Sequence, residues 1–222
     1  MNVSTEKSKN RLLLYLVTDD DIPWSSMLRV AEAAIDAGVT TIQLRDKRSP
    51  FRQIKQKAME LKQLIAKTAV PLIINDHVHI AAEVGANGIH LGTKDLAPSA
   101  ARRILGHSSI IGWSIESLDQ LRSPEITFCD YLAISPVFPT STKNDTAPAL
   151  GLSAITSARA LTDKPLLGIG GINSENAPAV IAAGADGICV VSAISRCEDA
   201  SVATRKLKDS ITRQFELRKT TT

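Results

Sequence analysis

Eight short aliphatic runs alternate with segments of helical periodicity along this chain of 222 residues. Most of the runs are continuous rather than alternating in polarity, which is typical of parallel strands that are buried on both faces. We predict strands at Leu12–Val17, Thr40–Leu44, Pro71–Ile74, Gly88–Leu91, Ile110–Ser114, Tyr131–Ile134, Leu166–Ile169 and Ile188–Val191.

The segments between these runs carry apolar residues at spacings of three and four, the period of an amphipathic helix. Three of them end in a glycine close to the start of the next strand, at Gly38, Gly85 and Gly184. Glycine readily adopts the left-handed conformation that ends a helix, so these positions read as helix termini. The clearest helices are predicted at Leu28–Ala37, Phe51–Lys67, Ala177–Ala183 and Ala200–Phe215.

Eight strand–helix units in this length predict an α/β protein with a single domain, a (β/α)8 or TIM barrel. The alternative is a doubly wound sheet, which usually has fewer strands and a G-x-G-x-x-G turn after the first one. Here the residues 17–21 follow the first strand and contain no glycine. We expect the barrel at residues 11–217, after a flexible polar leader at 1–10 and before a frayed tail at 218–222.

Charge and cysteine usage exclude several classes of protein. A net charge of +3 is too small to indicate nucleic-acid binding, which usually comes with a basic stripe interleaved with aromatic residues. The three cysteines have no CxxC spacing and are odd in number, which indicates a reducing compartment. We recognise no signal peptide and no apolar stretch of about 20 residues, so we expect a cytoplasmic protein without a membrane partner. The sequence leaves the oligomeric state open, a homo-oligomer included.

Cationic side chains follow the second predicted strand, at the barrel end where catalytic groups collect. Gln43, Arg45 and Lys47 alternate along the chain, so their side chains should point together into the barrel mouth. A planar guanidinium and a compact ammonium suit a polyanion such as pyrophosphate. The alternative is a surface ion-pair cluster with Asp46. We favour a ligand site, because cations facing inward from an apolar strand are costly without one.

Two carboxylates follow the third and fourth predicted strands. Asp76 and Asp95 should lie at the ends of neighbouring strands, and Mg²⁺ typically takes one or two carboxylates together with phosphate oxygens. Either aspartate alone could instead cap a helix. His77 and His79 are too close in sequence to share a helix face, which disfavours a zinc site. For His90, at the end of the fourth strand, a structural role is at least as favoured as a site role.

Polar segments follow the last four predicted strands. Ser114 reads as a hydrogen-bond donor to a ligand or as the cap of the next helix. The segment 135–145 is rich in hydroxyls with Lys143 near its end, typical of a mobile lid over phosphate or of a disordered loop. Glycines at 168–171, with the turn after the eighth strand, match the place where barrels bind phosphate. We therefore expect two anion sites in one mouth.

In combination, these motifs resemble those of thiamine phosphate synthases, over the region from Tyr15 to Ile194. The resemblance implies a Mg²⁺-dependent alkyl transfer from hydroxymethylpyrimidine diphosphate to hydroxyethylthiazole phosphate, which gives thiamine phosphate and pyrophosphate. The motifs are QLRDK at Gln43–Lys47, IND at Ile74–Asp76, HLGTKD at His90–Asp95, SPVFPTSTK at Ser135–Lys143 and GIGGI at Gly168–Ile172.

Position by position, the resemblance implies three groups of ligating residues, and it gives Arg45, Lys47, Ser114 and Lys143 the catalytic roles. The pyrimidine diphosphate would be bound by Gln43, Leu44, Arg45, Asp46, Lys47, Asn75, Ser114 and Lys143. The magnesium ion would be held by Asp76 and Asp95. The thiazole phosphate would be bound by Thr140, Ser141, Thr142, Gly171, Val191 and Ser192.

The family reaction is thought to ionise a C–O bond first, giving a pyrimidine-methyl cation that the thiazole nitrogen captures. Such a step needs stabilised pyrophosphate and excluded water more than acid–base residues. Trp113 and Glu116 depart from the usual family pattern, and we expect both to alter the mouth around Ser114. Two alternatives stay open: a thiazole tautomerase, which typically lacks the diphosphate motifs, and a non-catalytic protein that binds thiamine precursors.

Overall fold

The structure, a computed structural model, describes residues 11–140 and 148–220. Eight parallel strands in chain order close into a barrel there, which confirms the predicted (β/α)8 fold. Closure comes from pairing of the first strand with the last, with Leu14 opposite Ile188 and Leu16 opposite Val190. The strands are β1 (Leu14–Val17), β2 (Thr41–Leu44), β3 (Leu72–Asn75), β4 (Gly88–Leu91), β5 (Ile110–Ile115), β6 (Tyr131–Ile134), β7 (Leu166–Ile169) and β8 (Gly187–Val190).

The described α-helices surround the barrel. They are α1 (Trp24–Ala37), α2 (Phe51–Ile65), α3 (Val78–Val84), α4 (Pro98–Leu105), α5 (Gly151–Leu161), α6 (Ala177–Ala182), α7 (Ser192–Ser195) and α8 (Ala200–Thr220). Gly38, Gly85 and Gly184 all have positive φ, as predicted for helix termini. None of the described helices is both long and apolar enough to cross a membrane.

Three features of the helical layer differ from the sequence prediction. Helix α1 begins at Trp24 rather than Leu28, because two serines, Ser25 and Ser26, interrupt the apolar period between Trp24 and Met27 in its first turn. The β5–β6 connection forms two 3-10 helices, Leu118–Arg122 and Pro124–Phe128, instead of an α-helix, since Pro124 cannot continue a helix already begun. Residues 218–220, expected to fray, continue α8, and residues 1–10, 221 and 222 lie outside the described part.

Two apolar layers make up the core, because alternate strand residues face opposite sides of the barrel wall. The larger layer lies between strands and helices and includes Leu44 and Trp113. The smaller fills the barrel interior, and besides aliphatic residues it contains the two tyrosines, Tyr15 and Tyr131, both fully buried. The polar groups of these tyrosines therefore need partners inside the barrel.

An ion pair joins the loops after the first and the last strand. The Asp19 carboxylate, which is buried, accepts hydrogen bonds from Arg196 Nε at 2.7 Å and from Ser195 Oγ at 2.9 Å. Burial opposes ionisation of Asp19, but the hydrogen bonds from Arg196, Asp21 N and Ser195 lower its pKa below the ordinary value. The segments that follow β1 and β8 are thus tied together beside the strand pairing that closes the barrel.

Candidate active site

A cavity of about 450 Å³ opens at the carboxyl ends of the strands. This is the end of the barrel where (β/α)8 enzymes carry their active sites. Its lining brings together residues at or just after the ends of β2, β3, β4, β5, β6, β7 and β8. The sequence-predicted site residues in the lining are Gln43, Arg45, Lys47, Asn75, Asp76, Asp95, Ser114, Thr140, Gly171, Val191 and Ser192.

Five predicted site residues are not among those lining the described cavity. The side chain of Leu44 packs in the layer between strands and helices, because it alternates with Gln43 and Arg45 along β2. Asp46 also points away from the cavity, and its carboxylate accepts hydrogen bonds from Lys57 Nζ and from the backbone of Arg48 and Ser49. Ser141, Thr142 and Lys143 lie outside the described residues.

The loop after β1 holds Arg45 and Lys47, two of the cationic residues that line the cavity, in place. Thr18 Oγ1 donates to the carbonyl of Arg45 at 2.9 Å and accepts from its amide at 2.8 Å. Asp20 lies 3.4 Å from Arg45 Nη1 and accepts from the amide of Lys47 at 3.1 Å. The sequence analysis missed Thr18 and Asp20; the polar run directly after the first strand was the available signal.

The two predicted metal-binding carboxylates lie together in the cavity. Asp76 follows β3 with φ +60°, a left-handed conformation that aspartate tolerates better than most residues. The carboxylates of Asp76 and Asp95 are close enough to shift each other's pKa, and Lys47 Nζ contacts Asp76. Asp95 also accepts from the amide of Gly92 at 2.7 Å, and α4 begins after Ala97, so Asp95 does not cap that helix.

The pKa values of this pair move in opposite directions. Burial raises the pKa of Asp76, and the carboxylate of Asp95 raises it further against the effect of Lys47. Burial also opposes ionisation of Asp95, but the hydrogen bonds from Asp76 and from the Gly92 amide lower its pKa. The two close carboxylates disfavour each other's charge, and a bound divalent cation would relieve this repulsion.

The donor set of this pair fits Mg²⁺. Two carboxylates, with phosphate oxygens and water to complete the shell, are typical ligands of that ion. Within residues 11–140 and 148–220 there is no cluster of three or more His, Cys, Asp or Glu side chains suited to a metal. The described part of the chain thus offers two ligands for the ion, and substrate oxygens and water would have to complete its coordination.

Beneath the cavity, a chain of hydrogen bonds crosses the barrel interior. Gln43 Nε2 donates to Tyr15 OH at 2.9 Å, and the two tyrosine hydroxyls are 3.0 Å apart. Tyr131 OH lies 3.0 Å from His90 Nδ1, and His90 Nε2 lies 2.9 Å from Ser114 Oγ. The His90 ring also stacks on Tyr131, with centroids 5.6 Å apart. Predicted site residues thus stand at both ends of a chain that the sequence analysis did not foresee.

A glycine on β5 makes room for the centre of this chain. A Cβ atom on Gly112 would lie 2.0 Å from the ring of Tyr131, closer than any contact allows. Burial raises the pKa of both tyrosines far above the ordinary value, so their hydroxyls stay protonated. Both can therefore donate a hydrogen bond within the chain.

Backbone from the last strands forms the opposite side of the cavity. Gly170 and Gly171 have φ +99° and +63°, and they pack so closely on the segment after β6 that a Cβ on Gly171 would lie 2.5 Å from the carbonyl oxygen of Pro139. Val191 and Ser192 line the cavity at the start of α7. A glycine turn and a helix start near each other present backbone N–H groups, which suit phosphate.

The two departures from the family pattern have different positions. Trp113 packs between strands and helices, so the sequence expectation that it shapes the mouth does not match its place in the structure. Glu116 does line the cavity and accepts a hydrogen bond from Thr93 Oγ1 at 3.0 Å. Chemically, the cavity combines cations, a carboxylate pair, an interior polar chain and a backbone anion site.

Comparison with known proteins points to one family. A family model described as thiamine monophosphate synthase matches residues 14–194. A thiamine-phosphate synthase of Albidiferax ferrireducens is 44% identical over 202 residues, which are 90% of this chain and 92% of the relative. One of Azorhizobium caulinodans is 43% identical over 201 residues, 90% of this chain and 95% of the relative. The solved thiamine phosphate pyrophosphorylase of Pyrococcus furiosus superposes with a TM-score of 0.84 at 33% identity, covering 93% of this chain and 98% of that one.

Proposed function

The chain belongs to the thiamine monophosphate synthase family and is a transferase of thiamine biosynthesis, and we propose that this chain carries out the following reaction in the cavity. It joins hydroxymethylpyrimidine diphosphate to hydroxyethylthiazole phosphate. The bond between the pyrimidine methylene carbon and the diphosphate oxygen breaks, and a bond from that carbon to the thiazole nitrogen forms. Thiamine phosphate and pyrophosphate are the products.

The observation that carries this proposal is the distribution of charge around one cavity. Arg45 and Lys47 stand on the β2 side, and the glycine turn at Gly171 stands on the β7 side. A substrate pair with a diphosphate on one partner and a single phosphate on the other matches these two anion sites. Between them, the polar chain under the floor offers hydrogen bonds to a flat polar ring.

Each group of cavity residues has its own role in this reaction. The departing diphosphate takes the electron pair of the broken C–O bond, and Arg45 and Lys47 stabilise the charge that develops on its oxygens. Asp76 and Asp95 are the residues that would hold Mg²⁺, which supplies further positive charge to the diphosphate when it is bound. Ser114 and Gln43 hold the pyrimidine ring, while Thr140, Gly171, Val191 and Ser192 hold the thiazole phosphate.

Dissociation of the diphosphate leaves a cation on the pyrimidine methylene carbon, which water would capture. The cavity floor limits this side reaction, because it is built from buried side chains of the barrel interior such as Val17 and Cys189. No general base is required, since the thiazole nitrogen attacks through its own lone pair. This agrees with a site that pairs cations and carboxylates rather than a nucleophile and a base.

Charge removal at the β2 loop tests the proposal. We expect Arg45→Ala and Lys47→Ala each to lower kcat/KM by about 10²- to 10³-fold, because each removes a cation from the leaving group. Arg48→Ala is the matched control: it lies in the same loop, its side chain is 63% exposed and it pairs with Asp21 outside the cavity. The control should stay within about threefold of the unmodified protein, as expected for a surface ion pair.

The assay is release of pyrophosphate and formation of thiamine phosphate from both precursors with Mg²⁺. Equal losses in all three variants would contradict the assigned roles, since they would reflect damage to the loop rather than loss of a ligand. A folded protein that forms no thiamine phosphate would contradict the proposed reaction and favour a tautomerase or a precursor-binding protein.

A further inference from the structure

The direction of the interior hydrogen-bond chain follows from the chemistry of its members. An amide nitrogen such as Gln43 Nε2 can donate hydrogen bonds but cannot accept them. Tyr15 OH accepts from Gln43, so its single proton goes to Tyr131 OH, the other hydrogen-bond partner that Tyr15 has among the described residues. Tyr131 OH then accepts from Tyr15, and its own proton goes to His90 Nδ1. The chain runs in one direction from Gln43 to the imidazole.

This direction fixes the tautomer of His90 and the role of Ser114. Because His90 Nδ1 accepts a proton from Tyr131, the neutral ring carries its own proton on Nε2. His90 Nε2 therefore donates to Ser114 Oγ, 2.9 Å away. The hydroxyl proton of Ser114 is not used by this contact, and the Ser114 side chain lines the cavity. Ser114 thus faces a ligand as a hydrogen-bond donor.

At the other end, Gln43 faces a ligand as an acceptor. With Nε2 committed to Tyr15, the remaining polar atom that can accept is Oε1. The hydrogen bond to Tyr15 is made by Nε2, not by Oε1. Because no buried polar side-chain atom of the described residues lacks a partner, Oε1 is not buried but accessible from the cavity. Since Gln43 lines the cavity, Oε1 is available to a bound molecule.

We propose that Tyr15, Tyr131 and His90 are positioning residues that set the polarity with which Gln43 and Ser114 read the pyrimidine ring. A 4-aminopyrimidine carries a ring nitrogen that accepts next to an amino group that donates, which complements a Ser114 donor and a Gln43 acceptor. The 4-oxo counterpart presents a ring N–H and a carbonyl, with both roles reversed. The inference rests on the proposed function for the identity of the ligand, and the chain then selects the amino form.

Loss of the Tyr15 hydroxyl should affect His90, although the two side chains are not hydrogen-bonded to each other. Tyr15 makes its hydrogen bonds to Gln43 and Tyr131 and none to His90 or Ser114 among the described residues. Tyr15→Phe nevertheless removes the hydroxyl that links Tyr131 to the Gln43 amide, so His90 is no longer connected to the group that fixes the direction of the chain. Tyr131→Phe breaks the same connection at the next residue. Both variants should therefore leave His90 as a mixture of tautomers. A side chain that only fills space would not influence the proton on a ring that it does not touch.

The first measurement needs no ligand. The ¹⁵N NMR signals of His90, assigned by comparison with His90→Asn, should show Nε2 protonated and Nδ1 unprotonated in the unmodified protein. Tyr15→Phe and Tyr131→Phe should each average the two signals. Ile73→Val, which alters the same interior layer without touching a polar group, is the control and should leave them unchanged. Protonated Nδ1 in the unmodified protein, or unchanged signals in both tyrosine variants, would overturn the proposal.

The second measurement is calorimetric titration with the amino and the oxo pyrimidine diphosphates. The unmodified protein should prefer the amino form by at least about 100-fold, because a mismatched site leaves polar groups unpaired on both sides. We expect the preference to fall below about tenfold in both tyrosine variants, while inorganic pyrophosphate binds all of them equally and reports that they are folded. A retained preference in folded variants would overturn the chain's role. Binding of neither pyrimidine, with the expected NMR signals, would instead overturn the proposed function.

Discussion

The carboxylate of Asp46 supports a sharp prediction about stability. Asp46 stands between Arg45 and Lys47 in the loop after β2, and its side chain is only 3% exposed. Its Oδ1 accepts from the amides of Arg48 and Ser49 at 2.9 Å each, and its Oδ2 accepts from Lys57 Nζ at 2.5 Å. Asp46→Asn keeps the shape and the amide contacts, but it turns an NH₂ group toward the Lys57 ammonium. The variant therefore isolates one charge-assisted hydrogen bond.

The size of the effect follows from what Lys57 retains. Its ammonium also contacts Ser49 Oγ at 3.0 Å, lies 5.3 Å from the centre of the Trp24 ring and is 22% exposed. It is therefore not stranded when the carboxylate is removed, and the loss is that of one hydrogen bond between charged groups. We expect a destabilisation of about 2–3 kcal/mol at pH 7. For a protein of this size the melting temperature should fall by about 4–12 °C.

The same loss should depend on pH. Burial acts to raise the pKa of Asp46, but the hydrogen bonds from Lys57, Ser49 and Arg48 outweigh it, so the pKa lies well below the ordinary value of about 3.9. A carboxyl group whose pKa is lowered by folding stabilises the protein fully above its unfolded pKa. That contribution declines as pH falls through the folded value. The difference between the two proteins should thus be constant above about pH 5 and shrink below pH 4.

Urea unfolding followed by circular dichroism at several pH values provides the measurement. Asp119→Asn is the control, because Asp119 is 91% exposed and lies 3.8 Å from Arg122, which is 81% exposed. We expect that change to stay within about 0.5 kcal/mol at every pH. A loss below about 0.5 kcal/mol for Asp46→Asn at pH 7, or a loss of the same size at pH 3, would refute the reasoning.

Two further predictions concern the interior glycine and the carboxylate pair. Gly112→Ala should destabilise the protein by about 1–3 kcal/mol through its clash with Tyr131; an unchanged thermal unfolding midpoint would contradict the steric argument. Asp76→Asn tolerates the left-handed backbone, so with Asp95→Asn it should abolish the dependence of turnover on Mg²⁺. An unchanged magnesium titration would rule out the pair as its ligands.

The strands of this barrel are predictable because both of their faces are buried. A strand such as β7, packed between helices and the barrel interior, has to be apolar throughout, and its observed ends match the predicted ones. Helix ends are less predictable, since two serines interrupt the apolar period in the first turn of α1. The β5–β6 connection was expected to be an α-helix, because the count of strand–helix units assigns one helix to every connection. It contains two 3-10 helices instead, since the second one has to begin at Pro124.

Part of the site is readable from the sequence for an equally physical reason. Alternation along a strand places Gln43 and Arg45 on one side, and the same rule, applied strictly, turns Asp46 away. Tyr15 and Tyr131 escaped notice because a tyrosine in an aliphatic run reads as core. Their hydroxyls meet only because closure of the barrel brings β1 and β6 across from each other, which no local pattern encodes.

The seam between the first and last strands also determines when the barrel can be completed during synthesis. β1 pairs with β2 early, but its second neighbour, β8, ends at Val190, and the Asp19 contact to Ser195 spans 176 residues. Until that part of the chain has left the ribosome, one edge of β1 has no partner strand, and an unpaired edge can recruit other chains. The barrel can therefore close only after the last two strand–helix units have been synthesised. A chain truncated before them would keep an open sheet that is prone to association.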